Sequence, residues 1–297
     1  MHVPFSLIDV FADKPLTGNP LAVVLDSEHL DELTIQRIAN EFNQAETTFI
    51  LPARHKSADR RLRSVTASGH EVFGAGHNSL GAWWWLAESR QLKLADGPNH
   101  FLQEIGESIL PVEIHCRAGQ VVSVVLTQSA PIYGAACEDV AGLATALGLN
   151  SGDIGHDSLP IQVVSTGAPH LMVPARDRTV IERANPDGLR LAKILESVDG
   201  EGCYLFSLDT ALPSSTAHAR FFNPTVGIIE DSATGTAAGP LACLLVRHGV
   251  VKDGSPITIE QGYEMKRPSL LRLEVNGESV RLAGSCVRSA DGTLRVS

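Results

Sequence analysis

Apolar positions, many of them β-branched or aromatic, dominate "VPFSLIDVFA" (3–12), with only Ser6 and Asp9 polar. That pattern predicts a strand, ended by the turn-forming "DKPLTGNP". A second strand follows in "LAVVLD" (21–26). The period then changes. In "DELTIQRIANEFN" (31–43) Leu33, Ile35, Ile38, Ala39 and Phe42 recur at helical spacing, so this segment is read as an amphipathic helix. "ETTFILP" and "DRRLRSVTA" read as strands, and "LPVEIHCRAGQVVSVVLTQ" (110–128) as a β-hairpin turning at Ala118-Gly119. Between Ser129 and Ala136 the pattern dissolves into Pro, Tyr, Gly and Ala. A domain boundary is placed there, giving domains 1–128 and 129–297, with the last strands free to return to the first.

The second half repeats this texture. "EDVAGLATALGL" and "DGLRLAKILES" read as helices, and "LPIQVVSTG", "HLMVPA", "EGCYLFSL", "AHARFFNP", "PITIEQG", "LLRLEV" and "VRLAGSCVRSA" as strands. Two helices lack a polar face: Leu80 to Ala87, which includes Trp83, Trp84 and Trp85, and Leu241 to Val246. A helix apolar on every side is enclosed by other structure. The expected fold is therefore α/β with mixed (α+β) character: two domains, each a mixed sheet rolled around one central helix, with the tryptophans as core. The two halves also align. "EVFGAGHNSLGAWWWL" (71–86) set over "EDSATGTAAGPLACLL" (230–245) brings Glu71 over Glu230 and Gly76 over Gly235, which suggests pseudo-symmetric domains.

Composition narrows the function classes. The chain has 297 residues, 43% hydrophobic and 20% charged, which is ordinary for a globular protein. A net charge of -10 argues against broad nucleic-acid or anionic-membrane binding. Five cysteines, none in a C-x-x-C pair, fit reduced thiols, and "MHVPFSLIDVFADKP" has neither the basic start nor the apolar run of a signal peptide. The expectation is a cytoplasmic protein without membrane spans.

The glycine-rich turns are the candidate chemistry. In "GAGHNSLG" the third glycine, Gly81, comes two positions late for a dinucleotide fingerprint, and no G-K-[ST] completes a P-loop. The 11 histidines form no H-x-x-x-H, so no metal site is read, and no G-x-S-x-G appears. An anion site remains. The N–H groups at Gly76 and Gly235 would open two helix N-termini toward a carboxylate in a cleft between the domains, flanked by His77 and Asp231. The competing reading is that the glycines only allow close helix packing and His77 is a cap. Arg220 and Arg267 could contact substrate, but arginines before or after strands are usually solvated, and that is the reading taken; His170 in "TGAPH" is a further residue that could line the cleft.

These residues carry a resemblance. "DVFADKPLTGNPLAVVLD", "ANEFNQAETTFIL", "GAGHNSLGA", "VSTGAPHLMVP", "RFFNPTVGIIEDSATGTAAG" and "EQGYEMKRPS" resemble, in order, the signature segments of the PhzF (phenazine-biosynthesis-like isomerase) family of the diaminopimelate epimerase-like superfamily. The resemblance implies two pseudo-symmetric domains, an active site between them, a homodimer, and no metal or organic cofactor. It also implies that Glu46 of "AETTF", by itself an ordinary surface carboxylate, is the acid/base. His77, Asp231 and Thr236 fall on the family's substrate-binding histidine, aspartate and serine. Asn78 and Ser232 replace family prolines and bear on substrate fit. The thiol bases of the superfamily's racemases have no counterpart here, since no cysteine lies near either helix start.

The expected function is an isomerase that moves a proton within a small carboxylate-bearing metabolite. Glu46 would take and return the proton, with its pKa raised by burial. Gly76, His77, Asn78, Asp231, Gly235 and Thr236 would bind substrate. A non-catalytic metabolite-binding or regulatory protein on the same scaffold, and a cysteine-independent epimerase, stay as alternatives.

Overall fold

The computed structural model, which describes residues 1–25 and 27–296, folds the apolar N-terminal segment into β1 (His2–Val10), paired antiparallel with β2 (Asn19–Val24). The last residue of the second expected strand, Asp26, lies outside the described residues, as does Ser297. Helix α1 (Glu32–Phe42) starts where the Asp31 carboxylate accepts the Thr34 N–H, and it buries Ile35, Ile38 and Ala39 against Val3, Val24, Phe49 and Val65. It crosses over to β3 (Thr47–Leu51), parallel to β2. β4 (Arg60–Val65) pairs antiparallel with β3 and with the short β5 (Glu71–Val72). α2 (His77–Glu88) then crosses to β6 (Gly97–Ile105), parallel to β4, and β7 (Ser108–Arg117) and β8 (Gln120–Gln128) complete a meander. The hairpin turns where expected, with Ala118 and Gly119 both at positive φ.

In the second unit β9 (Ile132–Ala136) falls where only a boundary was expected. α3 (Val140–Ala146), β10 (Gln162–Ser165) and β11 (Pro169–Pro174) follow. α4 (Arg178–Arg183) and α5 (Gly188–Ser197) cross to β12 (Gly202–Ser207), parallel to β11. β13 (Ala217–Asn223) pairs antiparallel with β12 and with β14 (Ile228–Asp231). α6 (Gly235–Arg247) crosses to β15 (Pro256–Gln261), parallel to β13, and β16 (Ser269–Asn276) and β17 (Ser279–Gly284) follow. The expected single strand over 280–290 is broken at Ser285. Beyond it β18 (Cys286–Arg295) returns to pair with β1. The chain thus divides into Met1–Thr127 with Ala283–Ser297, and Gln128–Leu282. Among the described residues no helix is long and apolar enough to cross a membrane.

α2 is the central helix of the first unit. It packs against β1, β2, β3, β4, β7 and β18, and every residue from His77 to Ala87 is buried. Gly81 makes this possible. A Cβ there would stand 2.7 Å from Leu21 Cδ2 and 2.8 Å from Val10 Cγ2. Gly81→Ala is therefore expected to lower stability by about 1–3 kcal/mol in chemical denaturation, more than the ~1 kcal/mol that helix propensity would add. α6 is the second central helix, buried from Ala237 to Leu245 and packed on β10, β11 and β16.

The duplication extends to side chains. Across β4 and β5, Arg63 makes a two-pronged ion pair with Glu71; across β13 and β14, Arg220 does the same with Glu230. Arg220 is buried rather than solvated, because its remaining N–H groups donate to the Ile181 and Ala184 carbonyls. In β6 the buried Glu104 accepts the backbone N–H groups of Arg54 and His55; in β15 the buried Glu260 accepts those of Ala211 and Leu212. Each carboxylate thereby holds the loop that precedes the antiparallel strand.

In the second unit this clamp includes a charged histidine. His218, 1% exposed, stands with Nδ1 2.8 Å from Glu260 Oε1 and Nε2 2.9 Å from Glu264 Oε1. Although burial opposes the charge, the two carboxylates raise its pKa to about 9. A raised pKa means that this stabilisation is complete below about pH 6.5, the ordinary histidine value, and is lost as pH rises toward 9. Chemical denaturation is expected to show a loss of up to ~3 kcal/mol over that window, and a His218→Asn variant is expected to be flatter across it.

Candidate active site

Glu46 follows α1 at the entry to β3, whose five residues are all buried. Its side chain is 17% exposed with Oε2 buried, and Oε1 stands 4.0 Å from Nδ1 of His77, the first residue of α2. The histidine is buried, and burial alone holds its pKa down to about 4. It is therefore neutral near pH 7, so the contact is not an ion pair, and at this separation it is not a hydrogen bond either. His77 Nε2 has no hydrogen-bond partner. The structure thus brings together the carboxylate and the turn histidine from segments 31 residues apart in sequence.

The turn before α2 is fixed by Asn78, which faces inward. Its Oδ1 accepts the Gly76 N–H at 2.7 Å, while Nδ2 donates to Ser64 Oγ and the Gly74 carbonyl, both at 3.0 Å. The residue that departs from the proline pattern is thus a brace for the turn, and the Gly76 N–H that was expected to reach a ligand is taken by it. The first intrahelical bond runs from the Leu80 N–H to the Gly76 carbonyl, so the His77, Asn78 and Ser79 N–H groups point out of the helix start. Gln103 on β6, which sequence reasoning missed, ties the helix down by accepting from Ser79 Oγ and Trp83 Nε1.

The second unit builds the counterpart. Thr234 caps α6, and its hydroxyl donates to Asp231 Oδ2 at 2.6 Å. Gln261 binds both ends of this turn: Nε2 donates to the Asp231 carbonyl and Oε1 accepts the Thr234 N–H. Its Oε1 also accepts from the fully buried Tyr204 hydroxyl. Gln261 was visible only as a member of "EQGYEMKRPS". The first backbone bonds of α6 go from Ala237 and Ala238 to the Thr234 carbonyl, which leaves the Gly235 and Thr236 N–H groups directed beyond the helix start. Thr236 Oγ1 lies 3.3 Å from Nε2 of His170, a histidine that burial also holds down to about 4. Ser232 is buried, and its carbonyl accepts from Ser269 Oγ.

All five cysteines are buried, and burial raises the pKa of each. Neither helix start carries a thiol, so paired thiolates have no place at these turns. Among the described residues no three His, Cys, Asp or Glu side chains converge as a metal site.

Known proteins share this architecture. The sequence profile described as phenazine biosynthesis-like protein matches residues 8–292. The chain is 32% identical to the trans-2,3-dihydro-3-hydroxyanthranilate isomerase of Pseudomonas fluorescens and 33% identical to that of Pseudomonas chlororaphis, over 98% of each chain in both cases. A Bacillus anthracis phenazine biosynthesis protein of the PhzF family superposes with a TM-score of 0.90 at 27% identity over 100% of both chains. A hydroxyproline epimerase from Agrobacterium vitis shares the fold with a TM-score of 0.64 at 13% identity, over 99% of this chain and 92% of that one.

Proposed function

The chain belongs to the phenazine biosynthesis-like PhzF family and is an isomerase, and we propose that its reaction is a proton shift within a small carboxylate-bearing metabolite, carried by Glu46 alone. The observation that supports this most is the half-buried Glu46 carboxylate beside a neutral imidazole at the start of an enclosed helix. A neutral His77 puts no positive charge against the carboxylate, which keeps Glu46 able to accept a proton from carbon. It also leaves a ring nitrogen for a polar group of the substrate.

In this reading the Glu46 carboxylate removes a proton from an activated C–H. Electron density moves into the adjacent unsaturated system, and the resulting carboxylic acid returns the proton to a second carbon on the same face. One carboxyl serves both steps because the bound substrate keeps both carbons within its reach. The outward N–H groups of His77, Asn78 and Ser79 supply dipoles that steady developing negative charge. We assign substrate binding also to Asp231, Gly235 and Thr236, from the likeness of "EDSATGTA" to the family's block and from the donors that Gly235 and Thr236 present. The Gly76 and Asn78 assignments pass to support of the turn, since their polar atoms bind each other.

The test is solvent exchange. The protein is incubated in D₂O with trans-2,3-dihydro-3-hydroxyanthranilate, the compound in the relatives' names, and with a panel of cyclic amino and hydroxy acids. Deuterium appearing at carbon in one of them, and product forming, is the expected result. Binding without exchange or conversion across the panel would instead favour a metabolite-binding role.

A further inference from the structure

The duplication puts a cation at the same register position in each unit, and among the described residues only the one in the second unit is ion-paired. In the second unit His218 stands opposite Glu260 across β13 and β15, with Glu264 supplying a second carboxylate. In the first unit Arg61 stands opposite Glu104 across β4 and β6. Two residues further along the strands, Arg63 corresponds to Arg220, and both carry their bidentate glutamate, which confirms the correspondence.

The arginines beside Arg61 are occupied: Arg54 by Glu104, and Arg63 by Glu71 and Glu32. Arg61 has no ion pair among the described residues, and its Nε is buried without a hydrogen-bond partner. Burial and the nearby Arg54 together push its guanidinium below the usual arginine range. Where His218 meets Glu264, Arg61 instead lines an open depression of about 680 Å³ with Phe73 and Ile109; Glu71 and Glu104 also line it, each already paired to Arg63 or Arg54, and so does Glu107. Phe73 is 64% exposed, and its ring lies over Gly106, where a Cβ would come within 2.8 Å of it. The depression therefore has a planar cation without an ion pair among the described residues, and an exposed aromatic face.

We propose that this depression is a binding site for a small carboxylate with a flat apolar body, distinct from the Glu46 site. The carboxylate binds the Arg61 guanidinium, standing in for the glutamate that His218 has and Arg61 lacks. The body lies against Phe73 and Ile109. Arginine suits the task because its fork of N–H groups matches a carboxylate two-to-two. Glu107 is the internal competitor: it lines the same depression, is exposed, and makes no ion pair among the described residues.

The test uses the full chain and two probes of one shape, benzoate and the neutral benzamide. NMR follows the Arg61 Nε–H and the Phe73 ring, so binding near Glu46 does not register. Benzoate is expected to shift both signals saturably, with a dissociation constant of about 1 mM or tighter, and benzamide to leave them in place. Arg61→Gln is expected to weaken benzoate binding at least about tenfold as read at Phe73, and Glu107→Gln to tighten it several-fold, by removing the competitor. Equal shifts from both probes, no response to benzoate, or an unchanged response at Phe73 in Arg61→Gln would each overturn the site. Should Arg61→Gln fail to fold, the contrast between the probes in the unmodified protein decides.

Discussion

Glu46→Gln is expected to reduce kcat for proton transfer by about a thousandfold, within the range that positioned acid–base groups contribute, and to leave folding intact. Glutamine keeps the shape, but its neutral amide can neither take a proton from carbon nor return one. Both the return of product and the uptake of solvent deuterium should fall together, because both pass through the same oxygen. The measurement is the rate on whichever substrate the exchange screen identifies, alongside a thermal unfolding curve to show that the fold persists. A variant retaining activity within tenfold would end the single-carboxylate reading. His77→Gln offers a graded comparison. The neutral ring positions rather than transfers, so its loss is expected to cost nearer tenfold, or about 1.4 kcal/mol.

Arg220→Ala is expected to be the most damaging single change to the scaffold. It strands the Glu230 carboxylate, removes the donors to the Ile181 and Ala184 carbonyls, and takes the guanidinium off the Phe222 ring, which it faces at 4.9 Å. Removing one partner of a buried pair typically costs about 3–5 kcal/mol. Chemical denaturation should show a loss of this size. Arg220→Met combined with Glu230→Leu should recover part of it, since an apolar pair leaves no stranded charge. Recovery that fails altogether would point to the two carbonyls, rather than the carboxylate, as the seat of the loss.

The sequence disclosed the architecture more readily than the site. Helices without a polar face have one physical solution, enclosure, so α2 and α6 were legible from composition alone. β6 was not: its strand "GPNHFLQEI" buries Gln103 and Glu104, and polar residues pointing inward erase the alternation that marks a strand. Arg220 misled for the same reason. Its partners lie 10, 36 and 39 residues away, and nothing local announces that an arginine will be satisfied internally. Glu46 depended on likeness to a family, because only the fold brings it to His77. Asn78 and Ser232 looked like changes in substrate fit, whereas Asn78 proves to be a brace whose three bonds replace the rigidity of a proline ring.

Strand β1 sits between β2 and β18, its partners in register from Phe5↔Val24 on one side and from His2↔Arg295 on the other. During synthesis β1 therefore keeps one edge unpaired until Cys286–Arg295 has been made, a segment translated after the whole of Gln128–Leu282. The unit that contains β1 can be completed only by residues made later than the intervening unit.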